Sequence, residues 1–251
     1  MSYGSQSVII MEKPRNPLRA SLALSIALIL SAQGSLRAEK PSPFFQEVQR
    51  EFQTMRSTGY QHRTQVDRIT GSYRYDCVGF VSYALKIAAP RSWETVVQAT
   101  GISRNRFPSP QRYRIFFESL VTFPRPGWQA VTKTSELRPG DIVIWEHHSS
   151  KASGHAVVIA SNPVAFSTEN KKHPGEWIVE VYDSTSSPHG EDSRPNDPRA
   201  GILAASERRS GLGSGIMVFT SDPVTENLNG LKWNPKAPAQ NFPIAAARPT
   251  S

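Results

Sequence analysis

The chain carries a single cysteine, Cys77, in 251 residues. One thiol cannot close an internal disulfide, so the fold must rest on core packing, and the thiol needs an explanation of its own. With 38% hydrophobic and 20% charged residues, the chain can bury one substantial core, and one globular domain is expected. The 29 Lys and Arg outnumber the 21 Asp and Glu, a balance that draws a protein to anionic surfaces. No dense basic run interleaved with aromatics accompanies the charge. Arg104, Arg106, Arg112 and Arg114 lie in a Pro-broken stretch, so nucleic acid is not an expected partner.

Lys13, Arg15 and Arg19 precede an apolar run, Ala20 to Ala32, too short to span a bilayer, and Ala32-Gln33-Gly34 offers small residues behind it. That order of features reads as an export signal over residues 1–34. The alternatives are an uncleaved anchor or a buried helix. The expected location is periplasmic or extracellular, without stable membrane insertion once the signal is removed, and as a monomer.

Ser42-Pro43 reads as an N-cap and first helical residue, with Phe45, Val48, Phe52 and Met55 at helical spacing behind it. A second helix is expected after Asp76, with Cys77 in its first turn, where free backbone amides and the helix dipole favour thiolate. Residues 89–133, rich in proline around a short helical stretch at 112–121, read as an insertion, either a lid or surface elaboration. Three strands follow: Ile142–Trp145, the run opening at Gly154-His155, and Trp177–Asp183. Alternation puts Asp183 on one face with Val179 and Val181, and His155 on one face with Val157 and Ile159. If those strands are neighbours, a carboxylate and an imidazole meet at the sheet rim opposite the thiol. The thiol then attacks, the imidazole shuttles the proton, and the carboxylate fixes the imidazole tautomer.

The stretch 183–194 reads as a solvated loop or a cleft rim offering Arg194 to a carboxylate. His147, His148, His155, Asp183, His189 and Asp192 show no zinc-ligand spacing, so neither metal nor cofactor is expected. Gly211, Gly213 and Gly215 precede a final strand without the lysine and helix of a phosphate loop. The globular domain is expected over residues 35–220, and residues 221–251 as a loosely ordered Pro/Ala-rich tail.

Asp76-Cys77-Val78-Gly79-Phe80-Val81 resembles the nucleophile motif of the NlpC-type cell-wall cysteine peptidases. Leu137-Arg138-Pro139-Gly140-Asp141-Ile142-Val143 and Gly154-His155-Ala156-Val157-Val158-Ile159 are similar to that family's first strand and histidine strand. The histidine strand is also similar to that of the CHAP amidases. The resemblance implies an α+β papain-like domain, its nucleophile helix packed on an antiparallel sheet behind an N-terminal helical segment. It implies Cys77 as nucleophile, with its own amide in the oxyanion hole, and His155 as base and later acid. Asp183 takes a third position where the family more often has histidine, asparagine or glutamine, and Val78 replaces the usual serine. The family places a tyrosine ahead of the cysteine, for which Tyr60, His62 and Tyr73 are candidates; Trp145, His189 and Arg194 are candidate substrate contacts. The implied activity is cysteine peptidase or amidase cleavage of peptidoglycan stem peptides. The alternatives are a catalytically idle wall-binding domain and a thioester-based acyltransferase.

Overall fold

A computed structural model describes residues 40–147, 154–168, 171–203 and 207–250. The signal-peptide reading and His148 lie outside the described residues. The first helix, α1 (Pro43–Thr54), starts as its sequence dictates: the Ser42 hydroxyl accepts from the Phe45 amide at 3.2 Å, and Pro43 needs no intrahelical partner at the first position. Phe44, Phe45 and Val48 are buried beneath it. The polar stretch that follows forms a small sheet, in which β1 (Ser57–Tyr60) runs parallel to β3 (Ser72–Tyr75) and β2 (Gln65–Asp67) antiparallel to it. Helix α2 (Cys77–Ala88) follows directly, then α3 (Pro90–Thr100) and α4 (Pro110–Ser119).

The second sheet is large and antiparallel. Its strands are β4 (Trp128–Val131), β5 (Ile142–Trp145), β6 (His155–Ile159), β7 (Val164–Thr168), β8 (Lys171–Thr185), β9 (Gly201–Leu203), β10 (Arg208–Ser221), β11 (Leu228–Lys232) and β12 (Ile244–Pro249). They are ordered β11-β10-β8-β6-β5-β12-β4, with β7 pairing along β8 and β9 along β10. The alternation of β5 and β6 divides their side chains between two cores. Ile142, Ile144, Ala156 and Val158 join the aromatic residues of the helices; Val143, Trp145, Val157 and Ile159 join Val181, Met217 and Phe219 on the opposite face. The protein is thus α+β, with a large antiparallel sheet and four helices among the described residues. No described helix is long and apolar enough to cross a membrane.

Two expectations need correction. Residues 221–251 are not a loose tail: β11 borders β10, and β12 lies between β5 and β4. Ala246 and Ala247 are buried there, and Arg248 binds the buried Asp141 carboxylate at 2.6 and 2.8 Å. The domain therefore extends past residue 220. Residues 89–133 are more than surface elaboration, since Trp93, Val96, Tyr113, Phe116, Phe117 and Trp128 are buried in the helix-side core. Their apolar side chains fill the space that α2 and the sheet leave open.

Candidate active site

The strand β3 ends in Tyr75, whose carbonyl accepts from Ser184 Oγ on β8 at 2.7 Å. This bond fixes the start of α2 against the sheet. Asp76 caps the helix by accepting from the Gly79 amide at 2.8 Å. A side chain at Gly79 would crowd Thr64, because its Cβ would lie 2.5 Å from Thr64 Oγ1. Cys77 is the first helical residue and 4% exposed. Helix geometry leaves the amides of Cys77 and Val78 without intrahelical acceptors, as an oxyanion site requires.

His155 is the first residue of β6 and stands opposite Trp145 of β5. The residue before it must be glycine: Gly154 has φ 121°, and a Cβ there would overlap the Trp145 carbonyl oxygen. His155 Nε2 lies 2.6 Å from Asp183 Oδ2. The Cys77 sulfur acts electrostatically on this ring, and Nδ1 is the ring nitrogen that Asp183 does not engage. Burial opposes a charge on His155, but the sulfur and the Asp183 carboxylate outweigh it and push the ring up to about 9. The three residues expected to form the catalytic group therefore meet where β6 begins.

The surroundings of Asp183 differ from expectation. Its Oδ2 also lies 2.9 Å from His189 Nε2, and its Oδ1 accepts from Arg194 Nη2. Arg194 further donates Nη2 to the Asp183 carbonyl at 2.6 Å, Nε to the Gly211 carbonyl at 2.7 Å and Nη1 to Asp192 at 2.6 Å. Burial raises the cost of the Asp183 charge, yet Arg194 and the two imidazoles hold its carboxyl well below the usual carboxylate range. Space for this array comes from β10. A Cβ at Gly213 would lie 2.7 Å from the Arg194 guanidinium, and one at Gly215 would lie 2.8 Å from His189 Cβ. Trp233 stacks on His189 at 4.0 Å between ring centroids and donates Nε1 to the Pro188 carbonyl at 2.8 Å.

A cleft of about 630 Å³ opens over Cys77. Tyr60, His62, Thr64 and the loop 105–110 line it, so the segment between α3 and α4 forms one wall. Of the tyrosine candidates, Tyr60 is in the cleft, His62 is at its exposed edge with Nδ1 3.2 Å from Asp76, and Tyr73 is buried in the core beside Thr54. Burial and the nearby Cys77, Asp76 and Asp183 charges raise the Tyr60 phenol above its ordinary range. Trp145, His189 and Arg194 are not substrate contacts. Trp145 is buried with its ring 5.1 Å from that of His155, and His189 and Arg194 are committed to Asp183 beneath the surface. The structural roles of Asp192 and Trp233 carry no local signal. Asp192 sits in a loop that reads as solvated, and Trp233 in a stretch without strand alternation.

The ligand atoms of His155, Asp183 and His189 lie within 4.8 Å of one another, a spacing a metal ion can bridge. Here both ring nitrogens are directed at one oxygen, and Arg194 occupies the other. The donor set is thus committed to hydrogen bonds. Comparison of the chain with family models, curated proteins and solved structures gives no match.

Proposed function

We propose that this protein is an exported cysteine hydrolase of papain-like architecture that cleaves amide bonds in peptidoglycan stem peptides. One observation carries the chemistry: a cysteine at a helix N-terminus that lines a cleft, its sulfur acting electrostatically on an imidazole held 2.6 Å from a buried carboxylate. In the reaction, His155 takes the Cys77 proton and the thiolate adds to the carbonyl carbon. The developing oxyanion points at the amides of the first turn of α2. His155 then gives its proton to the leaving amine as the C–N bond breaks, leaving a thioester. Water, deprotonated by His155, attacks that thioester, which releases the carboxylic acid and restores the thiol.

The peptidoglycan reading rests on the resemblance of the two motif blocks, and the charge of the cleft supports it. Arg63 and Arg106 line the cleft with exposed guanidinium groups that have no partner among the described residues. They suit a substrate bearing carboxylates. Tyr60 in the cleft supplies the tyrosine that an idle wall-binding domain need not keep. An acyltransferase differs only in the acceptor of the thioester and is distinguished by its product.

The test is iodoacetamide labelling of Cys77 against pH, in the wild type and in His155→Ala, followed by incubation with peptidoglycan fragments and mass analysis. The expected result is labelling well below the ~8.5 of a free thiol, lost without His155, and release of a new amine with a new carboxylate. An inert Cys77, or one that labels identically in both proteins, overturns the reading.

A further inference from the structure

The buried group behind the cleft is larger than the proposed chemistry uses. Asp183 needs only one oxygen for His155, but it receives side-chain donors from three residues. The most costly of these is Arg194, a fully buried guanidinium. Strand β10 gives up side chains at Gly211, Gly213 and Gly215 along this stretch, and Gly213 is the position the guanidinium covers. Asp192 then anchors the loop that delivers both donors: it accepts from the amides of His189 and Arg194 at 2.8 and 2.9 Å and from Arg194 Nη1 at 2.6 Å.

We propose that Arg194 is a positioning residue for the Cys77–His155 pair: it locks the Asp183 carboxylate in its charged form and turns Oδ2 toward His155, with His189 as the second donor to that oxygen. The proposal rests on the hydrolase reading above and adds to it a residue that does not touch substrate. The physical argument has two parts. A buried carboxylate facing only an imidazole tends to take up a proton, and a protonated Asp183 no longer balances an imidazolium at His155. A carboxylate free to rotate would also lose the line from Oδ2 to Nε2, and Arg194 prevents rotation by holding Oδ1 and the main-chain carbonyl of the same residue with one nitrogen.

Several ionisable groups surround the pair. The ionisable groups facing this centre are Cys77 and Tyr60 from the cleft side, His155 on β6, and His189, Asp192 and Arg194 from the loop after β8. Asp183 and Asp192 flank one arginine, and His155 and His189 are the remaining groups of the cluster able to carry positive charge.

The test measures the pH profile of Cys77 labelling by iodoacetamide, together with thermal melting, in the full chain carrying Arg194→Met, Arg194→Lys or Gly213→Ala. Arg194→Met is expected to move the labelling midpoint up toward the free-thiol value, so that labelling at acid pH slows about tenfold for every pH unit by which the midpoint rises. Arg194→Lys, which keeps the charge, is expected to retain the wild-type midpoint while melting lower. Gly213→Ala keeps every charged group and displaces the guanidinium, so it covers the case in which Arg194→Met fails to fold; its midpoint is expected to rise as well. A folded Arg194→Met or Gly213→Ala protein with the wild-type profile overturns the proposal and leaves the hydrolase reading standing. A wild-type Cys77 that labels like a free thiol overturns both.

Discussion

Asp183 and His155 lie 28 residues apart in sequence, and their side chains meet at 2.6 Å. The contact follows from the pairing of β6 with β8, in which Val158 faces Tyr182 and Ile159 faces Val181. Asp183→Asn keeps the shape of this contact but removes the charge that Arg194 and the two imidazoles address. It is expected to lower the rate of amide hydrolysis on the order of 10³–10⁴-fold, because the ring loses its fixed tautomer. Stability should fall by about 3–5 kcal/mol, because Arg194 is left as a buried cation with a weaker counter-charge. Steady-state kinetics and urea melts of the variant measure the two effects separately.

Stability should decline on the alkaline side, and the signs can be assigned group by group. Burial pushes Glu51 from 4.5 up to about 8, with the Tyr75 hydroxyl bond opposing the shift. The folded state thus holds a proton that the unfolded state releases, and stability falls as pH rises from about 4.5 to 8. His155 acts in the same direction: its contribution is complete below the unfolded value of about 6.5 and is lost as pH passes about 9. Asp183 acts on the acid side, where its contribution, present above the unfolded carboxylate range, is lost as pH falls. Glu51→Gln should flatten the first decline and melt higher than the wild type at pH 8. Melting profiles that superimpose would assign the decline to other groups.

Gly154 offers a test of the backbone next to the imidazole. Replacement by alanine imposes a side chain at φ 121° and drives its Cβ into the Trp145 carbonyl. The conformation alone costs about 1–3 kcal/mol, and relief of the overlap must shift His155 as well. Gly154→Ala is therefore expected to lower both the melting temperature and the labelling rate of Cys77. At Gly101, φ is 64° and no atom lies within 4 Å of a Cβ, so Gly101→Ala should cost stability alone.

The two exposed arginines of the cleft predict how substrate charge is read. Arg106→Ala and Arg63→Ala should each raise KM for a carboxylate-bearing peptide about two- to five-fold, the range of an exposed ion pair, with kcat little changed. The effect should shrink with added salt and vanish for the amidated peptide. Equal losses on charged and amidated substrates would remove both arginines from recognition.

What could be read from the sequence depended on how local each determinant is. Ser42-Pro43, Asp76 before Cys77 and the β-branched run at 142–145 are local signals, and each gave the right element. Asp183 was placed by alternation along one strand, a rule that needs no partner. The small sheet built from the stretch at 57–75 has no local signature because its residues are mostly polar, and its pairing depends on contacts such as Thr58 Oγ1 with the Leu212 amide at 2.8 Å. Strand β12 was hidden by its alanines, which lack the bulk and branching that mark a strand. They fit because Phe116, Phe117 and Trp128 already fill the neighbouring volume. Arg194 and His189 read as candidate substrate contacts, because polar residues in a Pro- and Gly-rich loop carry no mark of burial. The space that buries them belongs to glycines about twenty residues further on, whose role no local pattern discloses.

The position of β12 also sets an order of events. Strand β4 bonds to the rest of the sheet through β12, so Trp128–Val131 have no sheet partner until the chain has been made through Ile244–Pro249. The edge of the sheet beyond β5 is thus completed by a strand close to the C-terminal end of the described residues. A chain interrupted before residue 244 should leave the backbone of Trp128–Val131 without its β12 partner, while the Trp128 ring still has Phe116 and Phe117 to pack on.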